Sequence, residues 1–414
     1  MIKEIEKENT LIVRGPARVT LLEGKLEVLG KLVIPDERSD SSDFEELESE
    51  NVIIIPSANT LPLFALEKSK LEIYTNTEEN LKFIEKNSIL DTWIDIKDSL
   101  IKMIRNNEGK GQPIKIMVLG ISSGKTTIIK YLANNFLREG FTGGYLDSDL
   151  GQQIMYLPTT ISIGEVKGSV ISSEDIHPED TVFIGATFPK GNYKFIVSQS
   201  CKNLIDEYIK RHKNTDFVLV DTDGWIKTEA GIIYKTFFIE TVDPDVIIVF
   251  HDETVEELKI IEKQAVKTRK DRKLHLVKED NQYFYEKNKD ERRFLRQSQF
   301  AKILESYRKI TIAISQNDIQ FVKADYDPDT QQSIEKTIEI RDLITLPYHY
   351  VIISLLDENS NMIKLGLLFT VNFEKDYILI FSDLTYKEQL KVKKISLGSL
   401  RLSTKGNHQG YLYL

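Results

Sequence analysis

The stretch "IKIMVLGISSGKTTIIKYLANNFLREG", residues 114–140, constrains this chain more than any other. It begins as an unbroken, largely β-branched run, the composition of a parallel strand buried on both faces. It ends as an apolar pattern at helical spacing that stops at Gly140. Between them lies a glycine-containing loop, Gly120 to Thr127. In a strand–loop–helix setting, successive backbone N–H groups of such a loop point inward and bind phosphate oxygens. The helix that follows adds the positive end of its dipole. Gly120, Ser122, Ser123, Gly124, Lys125, Thr126 and Thr127 are therefore expected to cradle a nucleotide's phosphates. Gly124 permits close backbone approach, Lys125 reaches the β- and γ-phosphates, and the Thr126 hydroxyl holds Mg²⁺. The full phosphate-loop pattern has glycine at 119, where this chain has Leu119. The departure bears on the entry turn, not on the cradle at 122–126. No guanine-reading element in the order N-K-x-D occurs; "HKNTD" at 212–216 is the nearest string.

A chain of 414 residues exceeds one ordinary core, so two or three domains are expected. Strand patterns and turn signals fill residues 1 to about 100. A helical stretch is expected from about Glu78 to Arg105, giving an N-terminal β-rich domain with helical linker over 1–106. From 107 to 305, buried strands such as "GGYLDSD", "DFVLVDTDGW" and "DPDVIIVFHDE" alternate with helices, the pattern of an α/β domain with a mainly parallel sheet. Residues 306–414 return to strands, as in "KITIAIS" and "YVIISLLDE", and form a C-terminal β-rich domain. No apolar run approaches the roughly 20 residues that span a bilayer. The single cysteine, Cys201, excludes an internal disulfide framework and fits a reducing cytoplasm. The six histidines are scattered, which argues against a zinc site. With a formal net charge of -9, any contact with nucleic acid must rest on local basic runs. "KTRKDRK" at 267–273 and "KNKDERRFLR" at 287–296 are two such runs. Either also reads as a solvated helix face.

"YLDSDLGQQ" places Asp147 and Asp149 at the end of a strand one strand–helix–strand unit after Lys125. Adjacent parallel strands end at one sheet edge, so both carboxylates face the phosphate loop. Alternation along a strand puts Asp147 and Asp149 on one face and Ser148 on the other. One carboxylate can organise Mg²⁺ through its waters; one can take a proton from an attacking hydroxyl.

This D-x-D-x-G-Q motif after a phosphate loop resembles that of the polynucleotide 5′-hydroxyl kinases of the Clp1/Grc3/Nol9 group. "FIGATFPKGN" at 183–192, "DTDGWIK" at 221–227 and "EKNKDERRFLR" at 286–296 resemble, in order, the family's G-S-T-x-P-G-x-N segment, its T-x-G-W motif and its arginine-rich lid. The resemblance covers most of the chain. It implies a central phosphate-loop kinase domain flanked by two β-rich domains, and transfer of the ATP γ-phosphate to the 5′-hydroxyl of RNA or DNA. It also implies Asp149 as the base, Asp147 in support of Mg²⁺ together with Thr126 and Asp149, and Gln152 beside the phosphates and the acceptor. Thr187 and Trp225 clamp the acceptor, the indole stacking on any base. Arg292 stabilises the transferring phosphoryl group, and Lys287 stands where the family has a second lid arginine, keeping the charge but losing the bidentate fork. Arg293 and Arg296 are weaker candidates. Asp221, which ends "FVLVD", competes with Asp149 as base, and Trp93 is expected to be packing. The alternative implied by Leu119 and Lys287 is a non-catalytic ATP-holding scaffold in an RNA-processing assembly. A nucleotide-dependent partitioning ATPase shares the loop but not "TDGW" or the lid. RNA-processing proteins are further expected partners.

Overall fold

The computed structural model describes residues 1–35, 51–109, 111–121, 124–172, 175–278, 287–339 and 348–412. Its centre is a seven-stranded sheet. The strands are β1 (Ile114–Leu119), β2 (Gly143–Asp147), β3 (Thr160–Glu165), β4 (Asp180–Phe183), β5 (Phe217–Asp221), β6 (Val246–Phe250) and β7 (Lys273–Val277). Their order is β4-β3-β2-β5-β1-β6-β7. The run β2-β5-β1-β6-β7 is parallel, while β3 and β4 pair antiparallel at one edge. The order reverses at β1, which lies between β5 and β6, and a doubly wound sheet binds ligands at such a switch point.

Helices cover both faces. Ile116 and Val118 of β1 face one core, shared with α1 (Asp91–Arg105), α2 (Lys125–Arg138) and the N-terminal strands; Trp93 is fully buried there, as expected of packing. Met117 and Leu119 face the other, built with α3 (Tyr193–Arg211), α4 (Glu229–Val242) and α5 (Glu256–Thr268). The period-2 alternation thus sorts one continuous apolar strand between two helical layers.

The N-terminal strands form a four-stranded and a five-stranded sheet. The helix expected from Glu78 is shorter than its pattern suggested. Leu81–Ile84 is a strand paired with Thr10–Arg14, and α1 starts only at Asp91. The pairing gives these backbone groups ladder partners that a helix would have withheld from Thr10–Arg14. After α6 (Lys289–Leu304), strands from Arg308 onward build an eight-stranded C-terminal sheet. Among the described residues no helix is long and apolar enough to cross a membrane.

Candidate active site

The phosphate loop leaves β1 at Leu119, which is 1% exposed and belongs to the core behind the loop. Gly120 has φ +154° and Gly124 φ +113°. Phe250, the last residue of β6, lies directly beneath. A Cβ at Gly120 would come within 2.7 Å of the Phe250 Cβ, and one at Gly124 within 2.7 Å of its ring. Both glycines are thus dictated by conformation and by close approach. Lys125 Nζ donates to the Gly120 carbonyl at 2.9 Å, which holds the ammonium at the mouth of the loop. Gly124 supplies no side-chain cap to α2, so the first-turn N–H groups are left for an anion. Thr127 lies on that first turn; Ser122 and Ser123 fall outside the described residues.

The carboxylates converge on this loop, in an arrangement that differs from strand alternation. β2 ends at Asp147, so Asp149 is not a strand residue and the two do not share a strand face. Both Asp147 oxygens accept backbone N–H groups, from Asp149 at 3.1 Å and Ile154 at 2.7 Å. The buried Asp147 side chain therefore shapes the turn that follows. Asp149 Oδ1 accepts from Gly151 and Gln152 N–H at 2.9 and 3.0 Å. Among the described residues Asp149 Oδ2 has no hydrogen-bond partner. Asp221, at the end of β5 and opposite Asp147 in register, accepts from the Thr126 hydroxyl at 2.6 Å and the Tyr145 hydroxyl at 3.1 Å. The hydroxyl expected from sequence to hold Mg²⁺ is thus joined to Asp221.

Burial raises the pKa of all three carboxyls. The Asp221 charge adds to the effect at Asp147 and the Asp223 charge to that at Asp149, while Lys125 opposes it at Asp149 and Asp221. A cation brought among them relieves the shared cost. Among the described residues no three His, Cys, Asp or Glu side chains gather to hold a metal by themselves. Mg²⁺ carried with a nucleotide needs only one or two protein oxygens beside phosphates and waters, and the Thr126–Asp221 pair fits that demand.

The motifs expected on the acceptor side adjoin the phosphate loop. Gly224 lies so close to it that an added Cβ would stand 3.0 Å from the Ile121 carbonyl, and the Thr222 hydroxyl donates to Val118 O at 2.7 Å. Trp225 is half-buried, its ring 4.5 Å from that of Phe188 and 5.8 Å from that of Tyr234. Phe188 is 43% exposed and was not singled out from sequence, although it sits inside "FIGATFPKGN". Trp225 N–H donates to Asp223 Oδ1 at 2.8 Å. The other oxygen of Asp223 accepts from Tyr234 at 2.9 Å and from the fully buried Lys235 at 3.0 Å. Thr187 and Tyr411 hydroxyls lie 2.8 Å apart.

The lid helix α6 starts with a capping box between Asn288 and Glu291. Arg292 Nε donates to the Lys287 carbonyl at 2.9 Å, and Gln152 Nε2 donates to Gly151 O at 2.8 Å and Arg292 O at 3.2 Å. Arg296, rated weaker from sequence, is the lid arginine whose Nε reaches the D-x-D-x-G-Q turn, at Gly151 O, 3.1 Å. Its place one helical turn beyond Arg292 was the available signal. Lys287 Nζ donates to Asn59 Oδ1 of the N-terminal domain at 3.3 Å. Burial lowers the Lys287 pKa, and burial together with the Lys287 charge pushes Lys130 down to about 8.

Residues 120–306 match the family model described as the mRNA cleavage and polyadenylation factor CLP1 P-loop. The chain is 27% identical over 337 residues to a polyribonucleotide 5′-hydroxyl-kinase of Methanocaldococcus jannaschii, covering 73% of this chain and 90% of that protein. It is 26% identical over 355 residues to one of Pyrococcus abyssi, covering 77% and 96%. In fold it is similar to Clp1p in the solved Clp1p–Pcf11p complex, with a TM-score of 0.69 at 14% identity and 97% of both chains covered.

Proposed function

The chain belongs to the Clp1/Nol9 family of P-loop polynucleotide 5′-hydroxyl kinases, and from that premise we propose how its own residues carry the reaction. It is an ATP-dependent polynucleotide 5′-hydroxyl kinase. The phosphate loop and Lys125 hold the nucleotide's phosphates. Thr126 and Asp221 would hold Mg²⁺, which would supply positive charge against the nucleotide's phosphates. Asp149 takes the proton of the acceptor's 5′-hydroxyl. The freed oxygen forms a bond to the γ-phosphorus while the bond from that phosphorus to the β–γ bridging oxygen breaks, and ADP leaves. Lys125, Arg292 and Arg296 carry the charge that spreads over the transferring group. Trp225, supported by Phe188, receives the terminal base, and Thr187 lies on the acceptor side.

One observation carries this assignment: Asp149 is fixed by two backbone donors through one oxygen while its other oxygen stays available for a hydroxyl proton. Asp147, with both oxygens taken, supports the turn that presents Asp149. The acceptor is RNA, the polymer printed in the names of the archaeal relatives. A protein partner, as Clp1p has in its complex with Pcf11p, is part of the proposal.

The test is transfer of label from γ-labelled ATP to oligonucleotides ending in a 5′-hydroxyl or a 5′-phosphate. The expected product is labelled at the 5′ end and forms from the hydroxyl-ended acceptor alone. ATP binding without transfer to either RNA or DNA contradicts the reading and favours the scaffold role.

A further inference from the structure

The loop that carries Thr187 and Phe188 is fastened to the C-terminal domain. Ser399 and Leu400 N–H groups both donate to the Gly185 carbonyl, at 2.7 and 3.2 Å. Gly185 has φ +77°, and a Cβ there would lie 2.3 Å from the Gly398 Cα, so the two backbones touch. Gly398 to Leu400 belong to the strand Lys394–Leu402, which pairs antiparallel with the closing strand His408–Tyr411. That pairing brings the Tyr411 hydroxyl to 2.8 Å from Thr187 Oγ1. The turn joining the two strands is pressed on the lid. A Cβ on Gly406 would stand 2.8 Å from Ala301 N and 3.0 Å from Gln297 O of α6. His408 follows this turn, with its ring 4.9 Å from that of Tyr411. Burial and then the charges of Arg296 and Arg293 lower the His408 pKa, which places both arginines in its surroundings.

These contacts link Trp225 and Phe188, through Thr187 next to Phe188 in the chain, to Tyr411 and His408, with the charges of the lid arginines felt at His408. Phe188 is 43% and Tyr411 37% exposed, and His408 is exposed. Aromatic faces interleaved with cations are what a single-stranded polynucleotide requires, because bases stack on rings without being read and phosphates follow positive charge. A docking contact alone requires neither an exposed ring nor arginines beside it.

We propose that Tyr411 and His408 form the subsite for the acceptor nucleotides beyond the first two from the 5′ end, so that the C-terminal domain extends the binding site along the strand. The inference rests on the polynucleotide-kinase reading above. It gives the site a dependence on acceptor length: a dinucleotide engages the Trp225 end, and a longer strand also engages the closing strand.

The test compares KM for a 5′-hydroxyl RNA dinucleotide and a decamer with the same 5′ end. It uses the unsubstituted protein, Tyr411→Ala, Tyr411→Phe and His408→Ala. Tyr411→Ala is expected to raise KM for the decamer by about tenfold more than for the dinucleotide, from a stacking contribution of roughly 1–3 kcal/mol per base. His408→Ala moves KM in the same direction. Tyr411→Phe keeps the ring and retains most of the length preference while losing the hydroxyl contact to Thr187. Equal losses on both acceptors, or none, overturn the proposal and leave Tyr411 a support for Thr187. Anisotropy titration of the same oligonucleotides reads the subsite without turnover. Absence of transfer by the unsubstituted protein therefore overturns the kinase reading alone, while decamer affinity still judges the closing strand. If Tyr411→Ala does not fold, His408→Ala and Tyr411→Phe carry the test.

Discussion

Leu119 stands where the phosphate-loop pattern has its first glycine, and its burial explains why a leucine serves. It is the last residue of β1, 1% exposed, with its side chain in the core shared with α3 and α4. The sharp turn is made one place later by Gly120, over Phe250. Leu119→Gly, which restores the pattern, is therefore expected to destabilise the protein by about 3–5 kcal/mol, from the lost side chain and the cavity left behind. Chemical denaturation checks this; unchanged stability contradicts the placement. Lys235 presents the opposite case, a charge at 0% exposure. Burial lowers its pKa against the pull of Asp223, its partner at 3.0 Å. Removing it strands the Asp223 carboxylate, which also holds the Trp225 N–H. Lys235→Met is expected to cost about 3–5 kcal/mol in urea unfolding, and adding Asp223→Asn is expected to recover part of the loss. A double variant as unstable as the single one contradicts that pairing.

At the scale of elements, the phosphate loop was legible because both its flanks carry strong local patterns: an unbroken buried strand and an amphipathic helix. The turn after β2 was less legible. Alternation extended the strand through Asp149, whereas Asp147 ends it by accepting two backbone N–H groups, a local contact that competes with the ladder. The role of Asp221 was half legible: its strand-end place was clear from "FVLVD", but its bond to Thr126 crosses 95 residues. The loop between β5 and α4 has a testable division of labour. Trp225 is half-buried against Phe188 and Tyr234, so its ring is neither sealed in the core nor loose in solvent. Trp225→Ala is expected to weaken oligonucleotide binding by roughly 1–3 kcal/mol, with all four terminal bases alike and ATP affinity little changed. Paired binding titrations check it. Parallel loss of ATP and oligonucleotide affinity with a large fall in melting temperature makes the indole a core residue instead.

At the scale of the whole molecule, the kinase domain is bracketed at its lid. The N-terminal domain holds the start of α6 through Arg14–Glu291 at 2.9 Å and Asn59–Lys287 at 3.3 Å, and the C-terminal turn at Gly406 packs against its later turns. Sequence patterns separated β-rich flanks from an α/β centre, because strand and helix periods are local. The inter-domain contacts were not legible: Thr187 and Tyr411 are 224 residues apart, and no local period reports such a pair. The central claim is that the assembled site divides its labour between Asp149 on the acceptor hydroxyl and Asp221 with Thr126 on the nucleotide side. The direct measurement is single-turnover phosphoryl transfer alongside Mg²⁺-dependent ATP affinity, for Asp149→Asn and Asp221→Asn. The account predicts that Asp149→Asn loses turnover by about 10²-fold or more with ATP affinity kept, since its oxygen acts on the proton in flight. It predicts that Asp221→Asn weakens Mg²⁺-dependent ATP binding itself. Near-normal turnover in Asp149→Asn, or a loss of turnover in Asp221→Asn that exceeds it at saturating ATP and Mg²⁺, contradicts the assignment.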